Sequence, residues 1–184
     1  LPQGWSINDG VLYSSGEGGD IGGDIVYASK AFYNFELQLE WKLSTAGNSG
    51  IFYHIVEDES YKAPYYTAPE YQIIDQVGFP QKLAAWQSIG ADYGMYNPEF
   101  KEEDLKKIGQ WNTATIRFTE NEVTYWLNGN KTLSFKPWTE DWERRKSEGK
   151  WKDYPNYGKS KTGLIGLQDH GSEIWFRNIK IKEL

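Results

Sequence analysis

The stretch FELQLEWKL, residues 35–43, decides the fold class. Apolar residues occupy every second position and polar residues fill the positions between them: Phe35, Leu37, Leu39 and Trp41 against Glu36, Gln38, Glu40 and Lys42. Because successive side chains of a β-strand point to opposite faces, one face of this segment is apolar throughout and the other is polar. That alternation predicts an antiparallel strand with its apolar face in the core and its polar face in water.

Strand-like runs separated by turn residues continue along the rest of the chain. The segment WSINDGVLY predicts a hairpin around Asn8-Asp9-Gly10, and Asn128-Gly129 is the strongest short hairpin signal. Further strands are predicted in the other runs of this kind: GNSGIFYHI, EYQIID, WNTATIRF, GLIGLQDH and EIWFRNIKI. About ten strands with turns between them predict an all-β fold, a jelly-roll β-sandwich that forms one domain over residues 1–184.

Two longer stretches interrupt this rhythm and hold the one or two short helices that we expect in loops. Residues 77–110 include the weakly helical run PEFKEEDLKKI. Residues 137–160 contain a predicted helix from Glu140 to Ser147, with Thr139 as its N-cap. Since long ordered loops often carry function, we expect residues 137–160 to form a lid or rim over a site.

The composition excludes several function classes. Aromatic residues make up 16% of the chain and the net charge is −6. A negative chain is a poor partner for nucleic acid or anionic membranes. No apolar stretch is long enough to span a bilayer. The absence of Cys rules out disulfides and a thiol nucleophile, and with only two His a metal site would need carboxylates or amides. The oligomeric state is left open.

The run EYQIID, residues 70–75, is the first candidate for a catalytic segment. Glu70 and Gln72 share one face of a regular strand, and Asp75 falls on the other. One β-bulge after Ile73 would bring Asp75 round to join them. The alternative is the solvated face of an ordinary strand.

The same alternation, which we call parity, assigns the polar residues of two other strands to one face or the other. In residues 48–55, Asn48, Phe52 and His54 share a face with Gly50; in residues 163–170, Gln168 and His170 share a face with Gly166. If these strands are neighbours in one sheet, their polar side chains line one surface, which the two glycines leave hollow. Each residue also has a purely structural interpretation, such as a turn for Asn48, a backbone-bonded His170, or loop packing for Trp138, Trp142 and Trp151.

Several segments, in this order, resemble one known family: WSINDGVL, FELQLEWKL, GNSGIFYH, PEYQIID, WNTATIRF and GLIGLQDHGSEIWFRNIKIKEL. They are similar to the 3-keto-disaccharide hydrolase family, and the resemblance covers essentially the whole chain. It implies a concanavalin A-like jelly-roll fold and an exported, periplasmic or cell-surface protein of Bacteroidetes type; this numbering carries no signal peptide. The family commonly has an arginine at the position of His54.

The resemblance also implies a chemistry. A ketone at C3 acidifies the C2 proton, so that a base can remove it, the C1 oxygen can leave, and water can add back. Glu70, His170 and Asp75 are then the candidate catalytic residues. The candidate substrate-binding residues are Asn48, Phe52, His54, Gln72, Trp138 and Gln168. No cofactor is certain; a divalent metal is one candidate electrophile, with His54, Glu70 and His170 as candidate ligands.

Two other functions compete with this one for an oligosaccharide or glycoside ligand. The first is a non-catalytic, lectin-like module, since the same fold hosts many of them. The second is a laminarinase-type glucanase, whose signature E-x-D-x-x-E is similar to E-x-Q-x-x-D at residues 70–75. Two departures from the signature disfavour the glucanase. Gln72 puts an amide where the signature has its middle acid, and Asp75, the last acid, is shorter than the glutamate of the signature.

Overall fold

The computed structural model describes residues 1–19 and 23–184, which form two antiparallel β-sheets packed face to face. The seven-stranded sheet has the order β1-β2-β11-β4-β7-β8-β9, and the four-stranded sheet has the order β3-β10-β5-β6. The strands are β1 Trp5–Asn8, β2 Val11–Ser14, β3 Ile25–Phe32, β4 Phe35–Leu43, β5 Asn48–Ile55, β6 Glu70–Ile74, β7 Asn112–Phe118, β8 Val123–Leu127, β9 Asn130–Phe135, β10 Gly163–Leu167 and β11 Ile174–Glu183. The predicted all-β jelly-roll sandwich is confirmed.

The apolar face of strand β4 is buried, as its alternation predicts. Leu37 and Leu39 are 2% and 1% exposed, whereas Gln38 between them is exposed. The strand lies between β11 and β7 in the large sheet and sends its apolar face into the core shared by both sheets. Burial of each large apolar side chain contributes about 1.5–3 kcal/mol to stability.

Both predicted hairpins are present. Asp9 and Gly10 join β1 to β2 with φ of 49° and 76°, and Asn128 and Gly129 join β8 to β9 with φ of 52° and 86°. Two consecutive residues with positive φ make the turn whose twist matches that of the strands.

One of the two helical segments forms. Helix α1 spans Glu140–Glu148, and Thr139 Oγ1 accepts a hydrogen bond from Trp142 N at 3.3 Å, as an N-cap does. The run PEFKEEDLKKI contains only a short 3₁₀ turn, Glu102–Asp104. Within the two described ranges, no helix is long and apolar enough to cross a membrane.

Strand β3 was missed by the sequence prediction. Five of its eight residues are exposed, from Tyr27 to Ala31, so no alternation marks it. It lies at the edge of the small sheet against β10. The order of that sheet places β10, β5 and β6 side by side, which is the arrangement that a shared polar surface requires.

Candidate active site

A polar cleft of about 190 Å³ lies on the face of the small sheet that points away from the large sheet. Tyr71 and Ile73 of β6 belong to the core, so Glu70 and Gln72 point to the opposite face. Three strands or strand ends and three loops meet there. The lining residues are Asn48, Tyr65, Glu70, Gln72, Tyr93, Lys150, Trp151, Tyr154, Gln168 and His170. The structure thus brings together five of the residues that parity had grouped: Asn48, Glu70, Gln72, Gln168 and His170.

Glu70 forms the floor of the cleft and is only 4% exposed. Its side chain folds over Gly50 of the neighbouring strand and fills the space that this glycine leaves. Burial raises the pKa of its carboxyl well above the usual range, and the negative charges of Asp24 and Asp92 add to that effect. The ammonium group of Lys150 acts in the opposite direction. A carboxyl whose pKa is raised holds its proton more tightly and is a stronger base once deprotonated, which suits a general acid or base.

The amide of Gln72 lies beside that carboxyl. With its nitrogen turned toward the strand, it donates to Glu70 Oε1 at 3.3 Å and to Ser49 O at 3.1 Å. Gln72 is 2% exposed, and backbone bonds to Ala91 and Gly90 fix its strand position. The amide therefore orients the Glu70 carboxyl from the side.

Gln168 and His170 enter the cleft from the segment after β10. Gln168 N donates to Gly50 O at 2.9 Å, and Ser49 Oγ donates to Gln168 O at 2.7 Å, so this segment is tied to β5. Asp169 points the other way, where it accepts hydrogen bonds from Ser14 Oγ and Gly18 N, both at 3.0 Å. This alternation places the side chains on either side of Asp169 on the cleft face, as parity predicted.

Five cleft residues were not predicted, and all of them lie in loops. Tyr65 and Tyr93 come from the loops before and after β6, whereas Lys150, Trp151 and Tyr154 come from the predicted lid segment, residues 137–160. Lys150 Nζ lies 5.5 Å from the Tyr93 ring centroid and 5.7 Å from that of Trp151. For Tyr65 and Tyr93 the only sequence signal was the aromatic excess of the chain, whereas the lid prediction pointed to the segment that holds the other three residues.

The prediction that His54 lines the cleft is wrong. His54 has a φ of 56°, and the three steps from Phe52 to Ile55 oppose only two steps from Gly166 to Leu164, so β5 contains a β-bulge. The bulge reverses the alternation, and the imidazole packs 4.4 Å from the Phe118 ring centroid in the core. Its Nε2 donates to Tyr33 O at 2.9 Å, and burial lowers its pKa to about 4, so the ring is neutral.

Asp75 does not join the cleft either. The pairing of β6 with β5 runs from Glu70 to Ile74 without a register shift, so the predicted bulge is absent. The Asp75 carboxylate instead accepts hydrogen bonds from Ala46 N and Gly78 N, both at 2.9 Å. It stabilises two turns at the end of the strand and lies outside the lining of the cleft.

Phe52 and Trp138 are packing residues. Phe52 points to the cleft face but is fully buried, because the loop after β5 folds back and covers it with Ala68 and Tyr65. Trp138 Nε1 donates to Gly158 O at 2.7 Å, and its ring packs on Phe118. Neither residue lines the cleft, so their predicted contact with substrate is wrong.

The metal ligands suggested by the sequence do not converge. His54 lies in the core, whereas Glu70 and His170 line the cleft. In the described part of the chain, no three His, Asp or Glu side chains are arranged to hold a metal ion. His54, Glu70 and His170 therefore do not form the metal site that the sequence suggested.

Comparison with known proteins identifies the family of the chain. Residues 2–182 match the model of the family described as 3-keto-alpha-glucoside-1,2-lyase-like domain. The chain is 34% identical to a 3-keto-disaccharide hydrolase of Bacteroides thetaiotaomicron, over all of this chain and 71% of that protein. A Parabacteroides distasonis protein assigned as a glycosyl hydrolase is 41% identical, with a TM-score of 0.90 over 99% of this chain and 84% of that one.

A more distant structure supports the fold alone. The carbohydrate-binding module CBM66 of Bacillus subtilis has a TM-score of 0.56 at 8% identity, over 97% of this chain and 91% of that one. The prediction of an enzyme of the hydrolase class is confirmed by the closer relatives. The match along nearly the whole length, together with the polar cleft, shows that the chain belongs to the 3-keto-alpha-glucoside-1,2-lyase-like family.

Proposed function

We propose that the chain cleaves glycosides that carry a ketone at C3, with Glu70 as the base that removes the C2 proton. The observation that carries this proposal is the position of Glu70, a buried carboxyl with a raised pKa at the floor of an open polar cleft. A raised pKa makes its carboxylate a stronger base than a solvated one. The family and the Bacteroides relative support the substrate class.

In the first step, the Glu70 carboxylate takes the C2 proton and the electron pair moves toward the C3 oxygen. The Lys150 ammonium lies on the cleft wall and lowers the pKa of Glu70, so its charge reaches the reacting centre. We propose that Lys150 stabilises the enolate that forms at C3. This role falls to a residue that the sequence argument had overlooked.

In the second step, the enolate returns to a ketone as the C1–oxygen bond breaks. The bonding electron pair leaves with the glycosidic oxygen, which takes a proton from the His170 imidazole. Water then adds its hydroxyl to C1 and gives its remaining proton back to His170. Glu70 exchanges the proton it took with solvent and then protonates C2, so that the sum of the steps is hydrolysis.

A pair of substrates tests the proposal. The purified protein should cleave a 3-keto-glycoside and leave the unoxidised parent glycoside intact. In deuterium oxide, the released 3-keto sugar should carry deuterium at C2. Equal cleavage of the parent would point to an ordinary glycosidase. Binding of both compounds with cleavage of neither would point to a carbohydrate-binding module.

The sequence predicts an exported location, and this agrees with a carbohydrate substrate. Export stays a prediction, as does the organisation of residues 1–184 as one domain.

A further inference from the structure

A second cavity, of about 450 Å³, lies on the same face of the small sheet as the cleft. Val26 of β3 and Ile55 of β5 form its floor, and the loop of residues 56–64 forms one wall. It is larger than the cleft that holds Glu70. Nothing in the proposed mechanism uses it.

The two cavities are neighbours. Ile55 and Val26, on the floor of the second cavity, pack in one apolar patch with Phe52 and Tyr65, and Tyr65 also lines the cleft. Asp24 lines the second cavity, and its charge is felt by the Glu70 carboxyl in the cleft. The shared apolar patch and the charge of Asp24 thus place the two cavities next to each other on this face.

A row of aromatic rings runs along both cavities. Tyr61 lines the second cavity, and its ring centroid lies 6.3 Å from that of Tyr66. Tyr66 lies 5.2 Å from Tyr154, and Tyr154 lies 5.4 Å from Trp151 in the cleft wall. Asn156 Nδ2 donates to the Tyr61 hydroxyl at 2.9 Å, which fixes the start of the row. Such rings present an apolar body and a polar tip, and they suit the alternating C–H and hydroxyl surfaces of a sugar.

The rim of the second cavity is acidic. Asp24, Glu57, Asp58 and Glu59 line it, and Lys62 is the one basic residue among its described lining residues. A concentration of one sign of charge repels ligands of the same sign and leaves neutral ones unaffected. A neutral sugar fits this rim, and a uronic acid or a sulfated sugar does not.

We propose that the second cavity binds the leaving-group sugar of the substrate and selects a neutral sugar over an acidic one. This inference rests on the proposed function, because it assigns to the cleft the 3-keto sugar whose C1 bond breaks. The protein then acts on 3-keto-disaccharides with a neutral second ring in preference to 3-keto-glycosides with a small leaving group.

Filling the cavity tests the position of the subsite. Val56 lines the cavity and is 38% exposed, so Val56→Trp adds bulk there without touching Glu70. For a neutral 3-keto-disaccharide, kcat/KM should fall about 10-fold, and for the methyl 3-keto-glycoside it should stay within about twofold. Val77→Trp, at an 84% exposed position in a different depression, is the control and should change neither value. An equal loss for both substrates, or no loss for either, would overturn the assignment.

Reversing the charge tests the selectivity. The double variant Glu57→Lys/Glu59→Lys should raise kcat/KM about 10-fold for a 3-keto-disaccharide whose leaving sugar is a uronic acid. The methyl 3-keto-glycoside should be unaffected. The control is the double variant Glu102→Lys/Glu103→Lys, which makes the same change in net charge at two exposed residues that line neither cavity. If the control raises kcat/KM for the acidic substrate by the same factor, the effect comes from the overall charge of the protein, and the acidic rim does not select between neutral and acidic sugars.

Direct binding separates failure of the subsite from failure of the proposed function. If the parent protein cleaves no 3-keto substrate, the proposed function is wrong, and calorimetry with an unoxidised neutral disaccharide and its methyl monosaccharide decides the subsite alone. The disaccharide should bind about 10-fold more tightly, and Val56→Trp should remove that advantage. Equal affinity for the two sugars in the parent would show that the second cavity takes no sugar.

Discussion

The Glu70 carboxyl lies directly over Gly50 on the neighbouring strand: a methyl group on residue 50 would come to 2.8 Å from Glu70 Cδ. No real Cβ tolerates that contact, so the glycine is what allows the carboxyl to reach the floor of the cleft. The placement of the proposed base is thus set by a residue that has no side chain.

Gly50→Ala should therefore displace Glu70 without removing it. A shift of about 1 Å in a reacting group costs about 10²-fold in turnover, so the variant should approach the activity of a Glu70 deletion. The control is Gly166→Ala in the same sheet, where the added methyl would meet Ile55 Cδ1 at 2.6 Å and Ile25 O at 3.2 Å and would not touch Glu70. Steady-state kinetics on a 3-keto-glycoside would decide, and full activity of Gly50→Ala would show that Glu70 needs no such space.

Glu70→Gln should lower turnover about 10²-fold or more, since it removes the base and keeps the shape. It should also change stability in a pH-dependent way. The pKa of Glu70 is raised in the folded state, so the stability contributed by its proton is complete below the unfolded pKa and is lost as the pH rises through the folded value. The variant should match the parent in Tm near pH 4 and exceed it at pH 8. If Glu70→Gln has a lower Tm than the parent at pH 8, the charged carboxyl stabilises the folded protein.

Lys150→Met should shift the pH–rate profile. The Lys150 ammonium lowers the pKa of Glu70, and its loss lets that pKa rise further. The base would then be deprotonated only at higher pH, so the acidic limb of kcat/KM should move to higher pH, while the plateau falls because the enolate loses its cation. Lys152→Met, a neighbouring exposed lysine outside the cleft lining, is the matched control. A profile that keeps its position would exclude Lys150 from the reacting centre.

His54→Leu should leave turnover within about twofold of the parent, because the imidazole lies in the core. Loss of the bond to Tyr33 O should cost about 1–3 kcal/mol at pH 7. The pKa of His54 is lowered to about 4, so its contribution to stability is present above the unfolded value near 6.5 and is lost as the pH falls toward 4. The variant should therefore lose less stability than the parent between pH 6.5 and 4 in urea titrations. Loss of activity at full stability would return His54 to the site.

Asp75→Ala should destabilise the protein by about 1–3 kcal/mol and leave catalysis unchanged. The substitution removes the acceptor of two backbone N–H groups, those of Ala46 and Gly78. Chemical denaturation measures the first effect, and turnover measured well below the melting temperature measures the second. A drop in turnover comparable with that of Glu70→Gln would restore the catalytic role that the sequence suggested.

The parts of the fold and site that sequence predicted are those governed by local alternation. Strand β4 faces the core as its pattern requires, and Glu70, Gln72, Gln168 and His170 share a face because β6 and the segment after β10 keep a period of two. Parity failed where the backbone departs from that period. The bulge at His54 rests on one non-glycine residue with positive φ, and no residue type signals it in advance.

The loop residues of the cleft could not be predicted from the sequence, for a different reason. Lys150 and Tyr154 enter the cleft only after a long excursion of the chain, and no periodicity relates them to β6. The lid prediction identified their segment and not their roles. Asp75 shows the reverse case, where a motif spacing suggested a bulge and the regular pairing with β5 excluded it.

The lid segment is also part of the core, and this affects how fast substrate can bind. Trp151 forms part of the cleft wall, yet it is 2% exposed and stacks 4.2 Å from Tyr157, which is fully buried beside the equally buried Trp142. Swinging this wall open would expose that whole aromatic cluster to water. The cleft is thus preformed, and sugar association should follow a single exponential whose rate grows linearly with concentration, without a slow gating phase before or after contact.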